Sequence, residues 1–236
     1  MTELKVITWN CNGAFRRKFD QLREFDADIL VIQECEDPAR SKDSAYQAFA
    51  SNYLWVGPTK NKGIGVFARH GIPLTKIAFY VGQLELFLPV LIDHRWPLLA
   101  CWTRHANSPT FGYIGQLWKL LQMNPPFLST AAAMVIGDLN SNAKWDLWDR
   151  WWNHSDVVRK LASLGLRSAY HQHFSELQGE ETQPTLFLQR KLEKPYHVDY
   201  GFFGQGWVVQ DIEIRGQTPW LELSDHMPVV FKIAER

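Results

Sequence analysis

Polar side chains that could hold a metal ion or move a proton recur beside strand-like apolar runs of this chain. They follow KVIT, DILVI and MVIG, and they precede MPVVF. The set comprises Asn10, Asn12, Glu34, Asp138, Asn140, Asp225 and His226. Any one of them alone is more typical of a turn or a helix cap, because Asp, Asn and Ser bond to nearby backbone. Together they predict one polar site, provided that the strands bring them to one edge.

The segment HVDY (197–200) adds another histidine and another carboxylate to this set. Side chains two positions apart point to the same face of a strand. We therefore expect His197 and Asp199 to share a face and to lie near the other polar side chains.

Carboxylates and amides gathered in one place suit a hard divalent cation, and a histidine beside them suits proton transfer. Mg²⁺ binds carboxylate and amide oxygens and retains several waters, whereas zinc sites use Cys and His ligands, a set that this sequence does not offer.

Composition narrows the classes of protein that the chain can belong to. Lys plus Arg and Asp plus Glu number 25 each, so no global positive field drives binding to nucleic acid, although a local basic patch remains open. The first residues do not resemble a signal peptide, and no apolar run approaches the ~20 residues of a membrane span. Cys11, Cys35 and Cys101 suit buried thiols. We expect a cytoplasmic protein without a membrane span, acting as a monomer.

Apolar periodicity predicts one α/β domain over residues 1–236, with mixed strands and helices that pack as two sheets covered by helices. Strands are predicted at 4–10, 28–34, 53–57, 63–69, 75–80, 84–92, 97–103, 132–140, 197–203, 207–214 and 227–233. Helices are predicted near 15–25, at 113–123, after Pro126, at 145–152 and near 155–164. Residues 175–195 are the most polar stretch and predict a surface loop or loose hairpin.

The segment WDLWDRWW (145–152) concentrates four of the eleven tryptophans. In a helix, Trp145, Trp148 and Trp152 would lie near one face, which favours packing in the core. A platform that stacks on bases or on a ligand is the alternative.

Six segments together resemble the endonuclease/exonuclease/phosphatase superfamily, which has the deoxyribonuclease I-like fold. They are TWNCNG (8–13), QE (33–34), GIGVFAR (63–69), GDLNS (137–141), HVDY (197–200) and SDHMPV (224–229). The resemblance runs from residue 8 to residue 229 in the expected order. It implies a four-layer α/β sandwich of two mostly antiparallel sheets flanked by helices. It also implies hydrolysis of a phosphate ester with Mg²⁺ or Mn²⁺. The residues agree with this implication, because a phosphodiester carries negative charge that repels hydroxide, and its hydrolysis needs a hard cation, an activator of water and compensation at the leaving oxygen.

The resemblance also implies roles for individual residues. Glu34 is the first choice of metal ligand, with Asn10 and Asp225 close by. Asp138 aligns or deprotonates the attacking water, and Asn140 donates its amide to a phosphate oxygen.

Histidines complete the expected site. His226 faces the phosphate as a donor or a general acid/base, and Asp199 holds the other nitrogen of its ring. His105 resembles the histidine that protonates the leaving oxygen, with His197 near it, although a loop histidine in solvent is the alternative for His105.

Two further candidates and one exclusion follow from the same resemblance. Arg104 could contact phosphates, and Asn12 stands where some members of the family carry Asp. Abasic-site endonucleases of the family usually show a Tyr in a VPN setting, which this chain lacks.

The leading hypothesis is a divalent-metal-dependent phosphodiesterase that acts on nucleic acid, most plausibly DNA, by in-line attack of water. A phosphatase or phosphodiesterase for a smaller ester, such as a nucleotide, phosphoinositide or sphingolipid headgroup, is the second hypothesis. A catalytically inactive scaffold of the same fold that binds a partner is the third.

Overall fold

The strands carry apolar side chains on both faces, so each sheet needs packing partners on both sides. In the computed structural model, which describes residues 2–236, Ile29 and Val31 pack into one buried cluster while Leu30 and Ile32 pack into another. This alternation is the period of two that a strand imposes. It places the sheets inside the molecule, with further layers outside them.

Fourteen strands and five α-helices make up the regular structure of residues 2–236. The strands are β1 (Glu3–Asn10), β2 (Ile29–Cys35), β3 (Tyr53–Thr59), β4 (Lys62–Ala68), β5 (Leu74–Lys76), β6 (Phe87–Ile92), β7 (Trp96–Trp102), β8 (Met134–Asp138), β9 (Arg167–Ser168), β10 (Leu186–Phe187), β11 (Pro195–Tyr196), β12 (Asp199–Phe203), β13 (Trp207–Ile214) and β14 (Val229–Glu235). The helices are α1 (Ser44–Phe49), α2 (Ile114–Gln122), α3 (His154–Ser163), α4 (Ala169–Phe174) and α5 (Gln217–Leu223).

Two six-stranded mixed sheets form the centre, in the orders β13-β14-β1-β2-β4-β3 and β5-β6-β7-β8-β12-β9. One apolar cluster joins the facing sides of the two sheets. A second covers the outer face of the first sheet with α1, α5 and 3₁₀ turns, and a third covers the outer face of the second sheet with α2 and α3. The predicted four-layer sandwich is therefore confirmed.

Strand pairing brings the polar ends of distant segments to one edge. β1 and β2 are parallel, with Asn10 opposite Gln33. In the other sheet, Asp138 at the end of β8 lies opposite both Trp102 of parallel β7 and Asp199 of antiparallel β12. Because parallel strands end on the same side, four segments deliver their polar residues together.

Several local predictions were wrong in detail. Residues 15–25 form the 3₁₀ segments Phe15–Arg17 and Phe19–Phe25 instead of an α-helix, and β5 ends at Lys76 instead of continuing to residue 80. The loose hairpin expected within 175–195 is present as the antiparallel pair of β10 and β11. The three cysteines are free and buried, as expected.

The predicted tryptophan-rich helix does not form. Residues 143–145 make one 3₁₀ turn, and α3 begins only at His154. Asp146 instead accepts hydrogen bonds from the backbone amides of His154 and Ser155. Asp and Asn side chains that bond to backbone compete with helix formation in this way. The prediction that this stripe packs in the core is also wrong, because Trp148 is 98% exposed.

Candidate active site

Asp138 is the buried centre of the polar edge. Its side chain is fully buried, and its Oδ2 accepts hydrogen bonds from Nδ2 of Asn10 at 2.9 Å and of Asn140 at 2.8 Å. Its Oδ1 accepts from the backbone amide of Asn140 at 2.7 Å. These donors fix the carboxylate without neutralising its charge.

Asn140 is tied to the scaffold as well as to Asp138. Its Nδ2 also donates to the backbone oxygen of Thr103, 2.9 Å away. Both amide hydrogens are therefore engaged, and the predicted donation to a phosphate would require Asn140 to release one of these bonds. In this structure the side chain positions Asp138.

His226 lies between two buried carboxylates. Its Nδ1 is 2.9 Å from Oδ2 of Asp199, and its Nε2 is 4.0 Å from Oδ2 of Asp138. Asp199 thus holds the ring through the nitrogen that faces away from Asp138, the arrangement expected from the sequence.

The carboxylates favour a protonated imidazole. Burial by itself lowers the pKa of His226, but the charges of Asp199 and then Asp138 raise it to about 10. Burial raises the pKa of Asp138 to about 7, against the lowering effect of His226. The two carboxylates therefore favour the protonated form of His226, and a protonated imidazole favours binding of an anion.

Hydrogen bonds with two side chains fix the backbone around His226. Trp9 Nε1 donates to the carbonyl of His226 at 2.9 Å. Ser224 Oγ accepts from the amide of His226 at 3.0 Å and donates to the carbonyl of Asn10 at 2.7 Å. Ser224 was not among the predicted site residues, although its place in SDH was a usable signal, since Ser before a strand commonly bonds to backbone.

Glu34 projects from a β-bulge. The register of β2 against β4 shifts between Gln33 and Cys35, and Glu34 has a φ of 63°. A bulge re-aims the extra side chain. Here Oε1 of Glu34 lies 3.4 Å from Nδ2 of Asn10, the same amide group that donates to Asp138. Asn10 therefore links the two carboxylates, and its own Oδ1 accepts from the amide of Asn12 at 3.0 Å.

Lys62 is a site residue that the sequence analysis missed. Its Nζ lies 2.5 Å from Oε2 of Glu34, a carboxylate whose side chain is 16% exposed. The ammonium also lies 5.8 Å from the ring centroid of Trp102. The available signal was a charged residue directly before the strand run GIGVFAR.

Asp225 and Asn12 form a separate contact at the same edge. Asn12 Nδ2 donates to Oδ1 of Asp225 at 3.0 Å. This bond joins the loop after β1 to the SDH segment. It uses Oδ1 of Asp225 and leaves Oδ2 available to a ligand.

The donor set fits a divalent cation. Asp138, Asp199 and His226 offer atoms of ligand type within 4.8 Å of one another. A protonated His226 has no lone pair for a metal, so the carboxylates are the candidate ligands of this group. Asp199 Oδ1 is buried and accepts no hydrogen bond from any residue in 2–236. Carboxylate and amide oxygens, which predominate here and at Glu34, are the ligands that Mg²⁺ and Mn²⁺ prefer.

His105 and Arg104 lie on the rim. His105 is exposed, packs edge-on against Tyr113 with ring centroids 6.2 Å apart, and stands two residues after Thr103, which bonds Asn140. Arg104 pairs with Glu85 at 3.0 Å. Within the described chain, neither makes a hydrogen bond to Asp138 or His226.

His197 does not join the group as predicted. β12 begins at Asp199, so His197 precedes the strand, and its ring packs against Tyr170 and Tyr200 with centroids 4.4 and 4.9 Å away. Its Nδ1 is 2.8 Å from the carbonyl of Gln183. Burial lowers the pKa of His197. These contacts make it a neutral packing residue and correct its predicted place beside His105.

A family model for the endonuclease/exonuclease/phosphatase family matches residues 7–226. The chain belongs to this family. The match spans all the strand-end residues of the site, from Asn10 to His226. Membership of the endonuclease/exonuclease/phosphatase family supports a phosphoesterase of the nuclease or phosphatase type. No curated protein matches the sequence closely enough to count as a relative.

Solved structures with the same fold share little sequence with this family member. An endonuclease/exonuclease/phosphatase from Beutenbergia cavernae is 15% identical, with a TM-score of 0.69 over 100% of this chain and 72% of that one. A 3′ phosphatase from Neisseria bound to a product DNA hairpin is 18% identical, with a TM-score of 0.70 over 98% and 99% of the two chains. An AP endonuclease from Archaeoglobus fulgidus is 17% identical, with a TM-score of 0.67 over 98% and 99%.

Among residues 2–236, no helix has the length and apolar character that crossing a membrane requires.

Proposed function

We propose that this protein is a divalent-metal-dependent phosphodiesterase that cleaves nucleic acid, most plausibly DNA, by in-line attack of water. The observation that carries the proposal is the buried group of Asp138, Asp199 and His226, in which an imidazole lies 4.0 Å from one carboxylate and 2.9 Å from the other. A buried cation next to a fixed carboxylate can bind a phosphate and orient water at the same place.

Four side chains of the site have different roles in this proposal. His226, held protonated by Asp199, donates to the non-bridging oxygens of the phosphate. Asp138 aligns the attacking water and accepts its proton, for which a pKa raised toward neutrality is suitable. Asn140 keeps Asp138 in place, and His105 on the rim protonates the leaving oxygen.

Glu34 holds Mg²⁺ or Mn²⁺ in this proposal, with Asn10 and Asp225 close by. When bound, the ion neutralises charge on the phosphate and on the leaving oxygen. Lys62 adds a second positive charge beside Glu34.

The proposed DNA substrate rests on the relatives. The Neisseria phosphatase binds a DNA hairpin, and the Archaeoglobus relative is an AP endonuclease. A smaller phosphate ester is the second candidate, favoured by the equal numbers of acidic and basic residues. An inactive scaffold is disfavoured because Glu34, Asp138, Asn140, Asp199, Asp225 and His226 are all present.

The test compares plasmid nicking with hydrolysis of bis-p-nitrophenyl phosphate and a panel of monoesters and lipid headgroups. We expect EDTA to abolish hydrolysis and Mg²⁺ or Mn²⁺ to restore it. Hydrolysis of the small diester without nicking would favour the second candidate, and no hydrolysis of any ester would favour the scaffold.

A further inference from the structure

The tryptophan loop (residues 144–152) exposes large aromatic side chains to solvent. Trp148 is 98% exposed and Trp151 is 65% exposed, while Trp145 is 41% exposed. Indole rings are among the side chains that gain most from burial. Two indole rings left in water on one short loop therefore indicate a surface that a ligand covers.

The exposure is not the result of a loose loop. The side chain of Asn153 accepts from the amide of Leu147 at 3.0 Å and donates to the carbonyls of Leu147 and Arg150 at 2.9 and 2.5 Å. Arg150 in turn donates to the carbonyl of Trp145 at 3.1 Å. A cross-braced backbone holds the two rings in position, which reduces the entropy lost on binding.

The loop lies beside the candidate active site. It begins four residues after Asn140, and Asn142 ties its base to the carbonyl of His197 at 3.0 Å. The ring of Trp145 packs on Tyr196, with centroids 5.2 Å apart, three residues before Asp199. The base of the loop is therefore joined to the chain segments that carry Asp138 and Asp199.

We infer that Trp148 and Trp151 stack on nucleobases of a single-stranded segment next to the scissile phosphate. This inference rests on the proposed phosphodiesterase function. Every base has a flat face that stacks on an aromatic ring, and in single strands these faces are free. Because the chain has no net charge, stacking supplies affinity that a global electrostatic field does not.

The charges of the loop agree with a nucleic acid better than with a lipid surface. In the sequence, Lys144 and Arg150 flank the rings, and Asp149 lies between Trp148 and Trp151. The carboxylate of Asp146 already accepts a hydrogen bond from the first amide of α3. Insertion of both rings into lipid would carry the carboxylate of Asp149 with them, which is costly. Stacking on separate bases leaves that carboxylate in water.

Two double variants separate aromatic stacking from mere apolarity. Trp148→Leu with Trp151→Leu keeps apolar bulk but cannot stack, whereas Trp148→Phe with Trp151→Phe keeps flat rings. We expect the Leu pair to raise the Kd for a fluorescein-labelled dT12 oligonucleotide at least ~10-fold, measured by anisotropy in EDTA, and the Phe pair to raise it less than ~3-fold. Both pairs should hydrolyse bis-p-nitrophenyl phosphate at the wild-type rate and give the wild-type circular dichroism spectrum.

Two outcomes overturn the inference. One is a Leu pair that binds dT12 as tightly as the wild type. The other is binding to lipid instead of nucleic acid. In that outcome the wild type does not bind dT12 measurably, and both the wild type and the Leu pair co-float with phosphatidylcholine/phosphatidylglycerol vesicles. Failure of the proposed function has a different signature, since the wild type would then hydrolyse no phosphodiester whatever the anisotropy shows.

Discussion

At the scale of single residues, the candidate site places buried carboxylates next to a buried imidazole. Two fully buried carboxylates, Asp138 and Asp199, flank one buried imidazole, and Asn10 and Asn140 supply neutral donors to Asp138. Charges that are buried must be paired and hydrogen-bonded. The site therefore keeps a fixed arrangement before any ligand arrives, which is what electrostatic catalysis requires.

Replacing Asp138 by Asn should remove the proton acceptor with little change of shape. We expect the turnover of bis-p-nitrophenyl phosphate to fall at least ~10²-fold, within the range that acid-base groups supply. Asp20→Asn is the control, because Asp20 is an exposed carboxylate whose side chain is 67% exposed. An unchanged rate in Asp138→Asn would remove this residue from the mechanism.

Lys62→Gln should tighten the binding of Mn²⁺. The ammonium lies 2.5 Å from Glu34, and a metal ion that uses Glu34 must displace it or share the carboxylate. We expect the Kd for Mn²⁺, measured by isothermal titration calorimetry, to fall about threefold, the size of one partly exposed ion pair. Lys232→Gln, which breaks a surface pair with Asp211, should leave the Kd unchanged. Weaker Mn²⁺ binding in Lys62→Gln would contradict this competition.

At the scale of elements, the position of Asp138 at the end of β8 requires a glycine directly before it. Gly137 has a φ of 151°, and a Cβ at this position would lie 1.8 Å from the carbonyl oxygen of Cys101 on β7. A side chain there must push the two parallel strands apart. We expect Gly137→Ala to lower the free energy of unfolding by at least ~3 kcal/mol in urea titrations.

The matched control for β8 is Gly216→Ala. A Cβ at Gly216 meets no atom within 4 Å, and its φ of −66° is accessible to alanine. Gly216 is the N-cap of α5, where glycine is preferred to alanine, so the free energy of unfolding should fall by less than ~1 kcal/mol. Equal stability of the two variants would show that the β7–β8 contact tolerates a side chain.

The bulge of β2 and the tryptophan loop both differ from the structure that the local sequence pattern predicts. Glu34 reaches Asn10 from a residue with positive φ, which a simple strand alternation does not describe. Trp145 and Trp148 have helical spacing, yet Asp146 and Asn153 use their side chains to fix a loop instead. Side-chain bonds to backbone decided both the loop and its exposed rings.

At the scale of the whole molecule, buried titratable groups behind the site link stability to pH. Burial lowers the pKa of His154 to about 4. Between its unfolded pKa of about 6.5 and the folded value, the unfolded chain binds a proton that the folded chain does not. The contribution of His154 to the free energy of unfolding should therefore fall by about 3 kcal/mol as the pH drops from 6.5 to 4. Asp138, whose pKa burial raises to about 7, acts in the opposite direction over the same range.

Urea titrations at pH 7, 5.5 and 4 test this linkage. His154→Gln should lose about 3 kcal/mol less stability than wild type over that range, while His70→Gln, at an exposed position, should follow wild type. Equal pH dependence of His154→Gln and wild type would show that folding does not lower the pKa of His154.

A second loss of stability should follow at lower pH. Burial by itself raises the pKa of Glu181, but hydrogen bonds from His171, Asn142 and the amide of Gly179 lower it to about 2. Stability that this carboxylate contributes is present above its unfolded pKa and is lost as the pH falls from about 4.5 to 2. Glu181→Gln should be less stable than wild type at pH 7 and should lose less on acidification below pH 4.5.

The sequence alone determined the family, the four-layer architecture and most of the polar edge. Asn10, Glu34, Asp138 and His226 could be found because each stands beside an apolar run, and a strand end is a local feature of the chain. The order of these segments along the chain then indicated the fold that brings them together.

Tertiary structure alone decided which of these residues meet. The pairing of Lys62 with Glu34, the withdrawal of His197 into a cluster of tyrosines and the exposure of Trp148 all depend on partners that are distant in sequence. Burial and ion pairing are properties of the packed chain, because they arise from groups that folding brings within a few ångströms. Local pattern places a residue on a strand or a loop, and only packing selects its neighbours.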